Sequence, residues 1–576
     1  MNSSAGLLGL GMKRLCSTGL PSDVTIVIGD VTFRLHKFPL ISSSGLLEKQ
    51  IGGCSSENGL LNCSINLDDI PGGAKAFELV TKFFYGIKLE LTAHNVVSLR
   101  CAAEYLQMTE EYGEGNLTAK TEGFLNEVFS SWTDSLKALE TCEEVLLQAE
   151  EVHVVSRCIN ALATKACADP SLFSWPMPGI NVERPNDAAF LWNGISAATK
   201  SHPVTEDWWY EDVSFLCFPL YKRLIKAVES RGMKPERIAG SLLFYAERYL
   251  PMMHNQPSFK DANAGLTTST PSEMDQGTLL EELVGMLPVQ KGVIQTKSLL
   301  SLLRTGMVLQ ASPSCRENLE KRVGAQLEQA SLVDLLLPSI GYSTETLYDI
   351  DCVQRIVDHF LSLQQGDSAA STPSIVEEGQ LRDGSQSVVA VTVVADLVDS
   401  YLAEVAPDVN LKLPKFQSLG ALIPDYARPR YDGIYHAIDT YLKAHPWLTE
   451  SEREQISRLM NCQKLSLEAS THAAQNERLP LRVVVQVLFF EQLRLRTQIS
   501  GWFFVSDNQE SSQNRLHGDS AEDPALGMVN DVRKRVSELE KECLSMRQEM
   551  QKLSKTKRRW TILSKLFPRK KVQPIN

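Results

Sequence analysis

Asp23-Val-Thr-Ile-Val-Ile-Gly-Asp-Val-Thr-Phe-Arg-Leu-His-Lys-Phe-Pro-Leu40 decides how the first part of the chain is read. Apolar side chains alternate over residues 24–28 and again over 31–35, the period of strands with one buried face. Gly29-Asp30 between them has the chemistry of a tight hairpin turn. Downstream, residues 40–51 read as a helix, 63–67 as a third strand and 74–85 as a helix closed by Gly86. This element order describes a small α+β domain.

Three patterns sharpen that domain: Asp23-Val24 opens the first strand, Phe33 precedes His36-Lys37 at the end of the second, and Phe77 leads to Tyr85-Gly86 at a helix end. Together they resemble a BTB/POZ domain, a dimerising interaction module, over residues 20–115. The resemblance makes Asp23, Phe33, His36, Lys37 and Tyr85 the structural core motif. A lone His can be a ligand or a base, but His36 has no partner at fixed spacing and is assigned a structural role. Residues 95–105 and 117–129 read as closing helices, and 131–168 as part of a helical extension spanning 116–200.

From residue 207 to 500 the pattern is helical. Helices are predicted over 215–229, 237–249 (ended by Pro251), 279–286, 296–309, 314–328, 353–364, 387–405, 412–423, 433–443, 450–459, 466–475 and 481–498. Polar stretches at 254–277, 365–383 and 506–523 lack the apolar content to order themselves and read as exposed loops, candidate kinase targets among them. Along this body stand Asp207-Trp-Trp-Tyr-Glu-Asp-Val-Ser-Phe-Leu216, Leu337-Pro-Ser-Ile-Gly341, Leu413-Pro-Lys-Phe416, Tyr431-Asp-Gly-Ile-Tyr-His-Ala-Ile-Asp-Thr-Tyr-Leu-Lys-Ala-His-Pro446 and a run ending in Ala-Gln-Asn-Glu-Arg-Leu-Pro-Leu-Arg482. In this order they resemble the plant non-phototropic hypocotyl family. The fold class is therefore multi-domain: an N-terminal α+β BTB/POZ domain, a mostly all-α domain and a short C-terminal coiled coil.

Within those motifs, Trp208, Trp209 and Tyr210 read as a core wedge at a helix start, with Asp207 or Asp212 capping; the alternative is an aromatic anchor for a partner. Tyr431 follows Arg428-Pro-Arg430 and reads as a phosphorylation or docking site, or as the neighbour of an N-cap at Asp432. Gly433 and Tyr435 complete the family motif.

Composition sets further bounds. At 576 residues the chain exceeds one core, and its 43% hydrophobic and 22% charged content is that of globular protein. The twelve cysteines form no C-x-x-C pair, the usage of reduced thiols. No signal peptide is read at the start, and no apolar run reaches the ~20 residues of a membrane span. Gly6-x-x-Gly9-x-Gly11 follows no strand, and phosphate-loop, nucleophile-elbow, zinc and kinase signatures are missing. The chain reads as non-enzymatic, without catalytic residues, cofactor or metal.

Two devices end the chain after a flexible linker at 501–527. Over 528–556, Val532, Val536, Leu539, Cys543, Met546, Met550 and Leu553 are spaced 4, 3, 4, 3, 4, 3, the seam of a short coiled coil. The other reading is one amphipathic helix packed on its own body. Over 557–576, Trp560, Leu563 and Phe567 share a face among Lys557, Arg558, Arg559, Lys565, Arg569, Lys570 and Lys571, the pattern of a helix lying in a membrane interface. Residues 551–576 hold nine Lys or Arg and no Asp or Glu, leaving the preceding body at −21 against −12 overall. Near an anionic leaflet each cation contributes roughly 1 kcal/mol. The competing readings are a solvated or protein-binding tail and a nuclear-localisation cluster over Lys555 to Arg559; the acidic body and the absence of a groove-reading fold disfavour nucleic-acid contact.

The resemblance implies a substrate-specific adaptor of a class-three cullin-RING ubiquitin ligase in plant light or auxin-type signalling. Its implied partners are the cullin scaffold, an unidentified protein substrate, receptor-type kinases, a second copy of the chain and an anionic membrane surface; no nucleic acid is expected. The implied location is cytoplasmic, peripheral at the plasma membrane. The alternative is a membrane-peripheral signalling scaffold without a ligase role.

Overall fold

A computed structural model describes residues 22–57, 63–168, 207–251, 273–339, 346–369, 382–507 and helical positions between 534 and 548. The chain divides into two compact units, Met1–Ile294 and Gln295–Asn576.

In the first unit, β1 (Val24–Ile28) and β2 (Val31–Leu35) form the hairpin, with Ile26 opposite Phe33. The Gly29 N–H at the turn donates to Asp68 Oδ1 at 2.7 Å. Helices α1 (Lys37–Ile41) and α2 (Gly45–Glu57) follow. Then β3 (Cys63–Asn66) runs parallel to β1, giving the order β2-β1-β3. Helix α3 (Gly73–Phe84) covers the sheet, and its Phe77 meets Phe33 edge-on at 5.0 Å. Val24, Ile26, Ile28, Leu35, Ile65 and Val80 complete the buried face, each such side chain contributing about 1.5–3 kcal/mol. Helix α4 (Val96–Tyr105) and α5 (Leu117–Ser130) close the domain.

The helix read over 40–51 is two helices. Ser44 is fully buried and accepts from the Leu47 N–H, which caps the start of α2, while its hydroxyl donates to Leu106 O at 2.5 Å and so anchors that cap to a residue 62 positions away. Behind the domain lie α6 (Trp132–Thr141), α7 (Leu146–Glu151) and α8 (Val154–Cys167). A short α9 (Tyr210–Val213) then precedes α10 (Phe218–Ser230), α11 (Pro235–Tyr249) and α12 (Glu273–Met286). Part of the 254–277 stretch read as loop is therefore helix, since α12 begins at Glu273.

The second unit is helical. It comprises α13 (Thr296–Val308), α14 (Pro313–Gly324), α15 (Leu332–Leu335), α16 (Ile350–Ala369), α17 (Arg382–Val405) and α18 (Leu413–Leu422). These are followed by α19 (Asp432–Ala444), α20 (Glu450–Ser457), α21 (Leu467–Ala474) and α22 (Leu481–Asp507). The polar stretches at 365–383 and 506–523, also read as loops, carry the end of α16, the start of α17 and the last turn of α22. Residues 501–507, assigned to the linker, thus continue α22.

Helix α17 packs closely on α19, and a buried ion pair marks the contact. Arg428 and Asp399, with side chains 3% and 5% exposed, pair at 2.7 Å, and Arg428 also donates to Gly420 O and Ile423 O. A Cβ on Gly433 would stand 3.1 Å from Asp399 Cβ, so glycine permits the close approach of α19. A second pair, Arg478 with Asp439, lies nearer the surface, its side chains 42% and 16% exposed.

These two pairs should respond differently to loss of the cation. Arg428→Met leaves a buried carboxylate uncompensated and should lower unfolding free energy by about 3–5 kcal/mol. Arg478→Met should cost about 1 kcal/mol or less. Denaturant midpoints of the full chain check both, and equal losses would contradict the assignment.

Candidate functional site

Hydrogen bonds bring the N-terminal motif residues together at the corner where β2 becomes α1. The Lys37 N–H donates to Asp23 Oδ1 at 2.8 Å. The His36 N–H donates to Tyr85 Oη at 3.1 Å, and that hydroxyl lies 2.9 Å from His36 Nδ1. The backbone is thus held on both sides just before Phe38, whose ring is 82% exposed. His36 serves geometry here: its imidazole ties the strand end to the end of α3.

In the same unit, the Trp-Trp-Tyr run packs against the helical extension. Trp208 meets Trp132 at 4.8 Å, Trp209 is fully buried, and the Trp132 indole N–H donates to Asp212 Oδ2 at 2.8 Å. Burial holds Asp212 above the usual carboxylate range, against the pull of that bond. The Tyr210 ring lies over Gly240 of α11, where a Cβ would come within 2.7 Å of its hydroxyl. Neither Asp207 nor Asp212 caps a helix; Trp209 occupies the N-cap of α9 without a side-chain bond. The wedge is core.

The second unit carries a polar network around the start of α19. The Tyr431 hydroxyl donates to Asp425 Oδ1, and Lys464 Nζ reaches Asp425 Oδ2 at 2.9 Å. These bonds hold Asp425 down at about 2, while burial and Asp425 push Tyr431 up to about 12. Asp432 is the first residue of α19, not its N-cap: it accepts from the Ser466 N–H at 2.8 Å and ties the starts of α19 and α21 together. At 4% exposure, with its hydroxyl engaged, Tyr431 is poorly placed for a kinase. Further along, Tyr435 bonds His472 Nδ1, and Asn476 reaches both Tyr435 Oη and Asp439.

Two clefts border this network. One of about 650 Å³ is lined by Leu448, Arg453, Asn476, Leu479 and Val484; one of about 360 Å³ by Tyr431, Arg458, Asn461, Gln486 and Phe490. The polar groups between them largely satisfy one another, so what they supply is rigidity.

Two protein-family models match this architecture: a BTB/POZ domain model over residues 12–113 and an NPH3 family model over residues 207–470. A BTB/POZ domain-containing protein of Arabidopsis thaliana is 60% identical over 560 residues, covering 96% of this chain and 93% of that one. This chain belongs to the NPH3 family. Another Arabidopsis thaliana BTB/POZ domain-containing protein is 51% identical over 95% of the chain and 86% of its own length. Root phototropism protein 3 of Arabidopsis thaliana, at 39% identity over 85% of this chain and 76% of its own, places this NPH3 chain in a phototropism-related family.

Other NPH3-chain residues named from the sequence lie outside the described residues: the seam Val532, Val536, Leu539, Cys543, Met546, Met550 and Leu553, and the tail from Lys557 through Trp560, Leu563, Lys565 and Phe567 to Lys571. Among described residues, no helix is long and apolar enough to cross a membrane. The structure adds residues the sequence reading passed over. Trp132, Asp399 and Asp425 join through partners 29 to 80 positions distant or across a turn, where no local spacing signals them. Arg428 stood next to the motif, but its role rests on Asp399.

Because Tyr431 stays protonated to about pH 12 in the folded chain, its phenol binds a proton that the unfolded chain releases near pH 10. Stability contributed by this phenol is present below pH 10 and lost as pH rises toward 12. The phenolate absorbance difference between wild type and Tyr431→Phe should therefore appear near pH 12; a difference centred at pH 10 would contradict the buried bond.

Proposed function

We propose that this chain is a substrate-specific adaptor of a class-three cullin-RING ubiquitin ligase in light or auxin-type signalling. It dimerises and docks the cullin through the BTB/POZ domain, while the helical NPH3 domain recruits the substrate. Catalysis belongs to other subunits, and this chain contributes proximity and orientation. The observation that carries the reading is Phe38: an exposed aromatic ring projecting from a backbone fixed by Asp23 and Tyr85 has the rigidity of an interface anchor. Membership of a family that includes Root phototropism protein 3 supports the signalling context.

A second reading, a membrane-peripheral scaffold without a ligase role, rests on the nine cations of residues 551–576. In that reading the tail holds the protein at the plasma membrane, and kinases are its partners.

The full chain, mixed with the N-terminal domain of a class-three cullin, should form a complex of two chains with the cullin by light scattering. Phe38→Asp should yield a monomer with at least a tenfold loss of cullin affinity. A wild-type dimer that ignores the cullin, yet binds vesicles containing anionic lipid, would overturn the adaptor reading in favour of the scaffold.

A further inference from the structure

The cleft of about 650 Å³ beside the Tyr435–Asn476 network has a floor and a rim of different chemistry. Leu448, Leu479 and Val484 make the floor, and each keeps 5–9% of its surface open. Glu450, at the start of α20, and Glu477, just after α21, stand on the rim. Both are exposed, and among the described residues neither carboxylate has a hydrogen bond or an ion pair. Glu452, by contrast, is taken up by the Thr449 cap of the same helix. Arg453, which also lines the cleft, donates to Pro446 O at 3.1 Å. The start of α22 and the end of α21 border the cleft with dipole ends of opposite sign, which offset one another. Two free carboxylates against one engaged guanidinium leave the rim negative.

Trp447 precedes Leu448 and is 62% exposed. Its indole meets the His445 ring edge-on at 5.1 Å; His445, 2% exposed, is stacked on Tyr441 at 3.9 Å. Tyr441 is fixed in turn by its bond to Leu411 O at 2.7 Å. An exposed indole seated on buried rings has little freedom to lose when a partner covers it, the property of an interface anchor.

We infer that this cleft is where the helical domain docks an extended segment of a partner protein carrying an arginine beside aliphatic side chains. Floor, rim and indole select the same chemistry. A carboxylate accepts two parallel N–H bonds from a guanidinium, an exposed indole face attracts one, and the apolar floor takes the neighbouring aliphatic groups. Lysine supplies the charge without the planar fork. A cleft of this volume admits a few side chains, so the partner enters as a linear segment. This rests on the reading of the NPH3 domain as the part that recruits the substrate, and gives that recruitment a place and a chemistry.

A phage library of random nonapeptides, selected on the full chain, supplies the probe; enriched peptides are labelled and titrated by fluorescence anisotropy. They should share an arginine next to Leu, Ile, Val or Met. Glu450→Lys combined with Glu477→Lys should weaken their binding about tenfold or more, and Trp447→Ala about threefold. Glu404→Lys, the same charge change at an exposed position of α17, should leave it within about twofold, which separates the cleft from attraction to the acidic body. Replacing the peptide arginine by lysine should cost about threefold. Circular dichroism checks the fold of each variant, and cullin binding is read on all of them by light scattering. A consensus without arginine, or affinities unchanged by the double charge reversal, would overturn the inference and leave the cullin result standing. A chain that ignores the cullin yet shows these affinities would overturn the adaptor reading and keep the cleft. Binding that tightens when residues 557–576 are deleted would also overturn the inference, since the occupant would then be the chain's own basic tail.

Discussion

The second unit depends on one buried charge. Asp399 sits on α17 with its side chain 5% exposed, and the cost of burying its carboxylate is offset chiefly by Arg428, which meets both oxygens, with the Ile434 N–H adding a further bond. Arg428 in turn satisfies Gly420 O and Ile423 O at the end of α18, so one guanidinium joins α17 to α18. Gly433 lets α19 come down on the same carboxylate. Since Arg428 lies three residues before Tyr431, the position of the pair dictates where the signature helix begins. The Tyr431–Asp425–Lys464 and Asp432–Ser466 bonds are then short local ties around a fixed point. Hydrophobic packing would hold these helices together; the buried pair and its hydrogen bonds give them one register.

The two units divide polar from apolar work in the same way. At the BTB corner, Asp23, His36 and Tyr85 turn their polar groups inward on one another and leave a phenyl ring outside. In the helical body the motif polar groups also close on themselves, and large apolar side chains such as Trp447, at 62% exposure, and Phe489, at 51%, stand outside. Motifs that look like sites in the sequence are therefore the braces, and the surfaces available to partners lie beside them. For the adaptor proposed above, a rigid brace under an exposed contact lowers the ordering cost of binding.

How much was legible follows from the range of each interaction. The hairpin could be read because alternation and a Gly-Asp turn are local, and the long helices because apolar spacing repeats over several turns. The break between α1 and α2 could not: the cap that Ser44 makes with the Leu47 N–H is local, but what anchors Ser44 there is its bond to Leu106 O, 62 residues on. Asp432 looked like an N-cap because Asp at a helix start usually bonds its own first turn, yet its acceptor was taken by Ser466, 34 residues away. Trp132 carried no motif of its own, and only the fold shows it completing the Trp-Trp-Tyr wedge. Family resemblance located the motif residues; what each one holds depended on partners that sequence spacing does not encode.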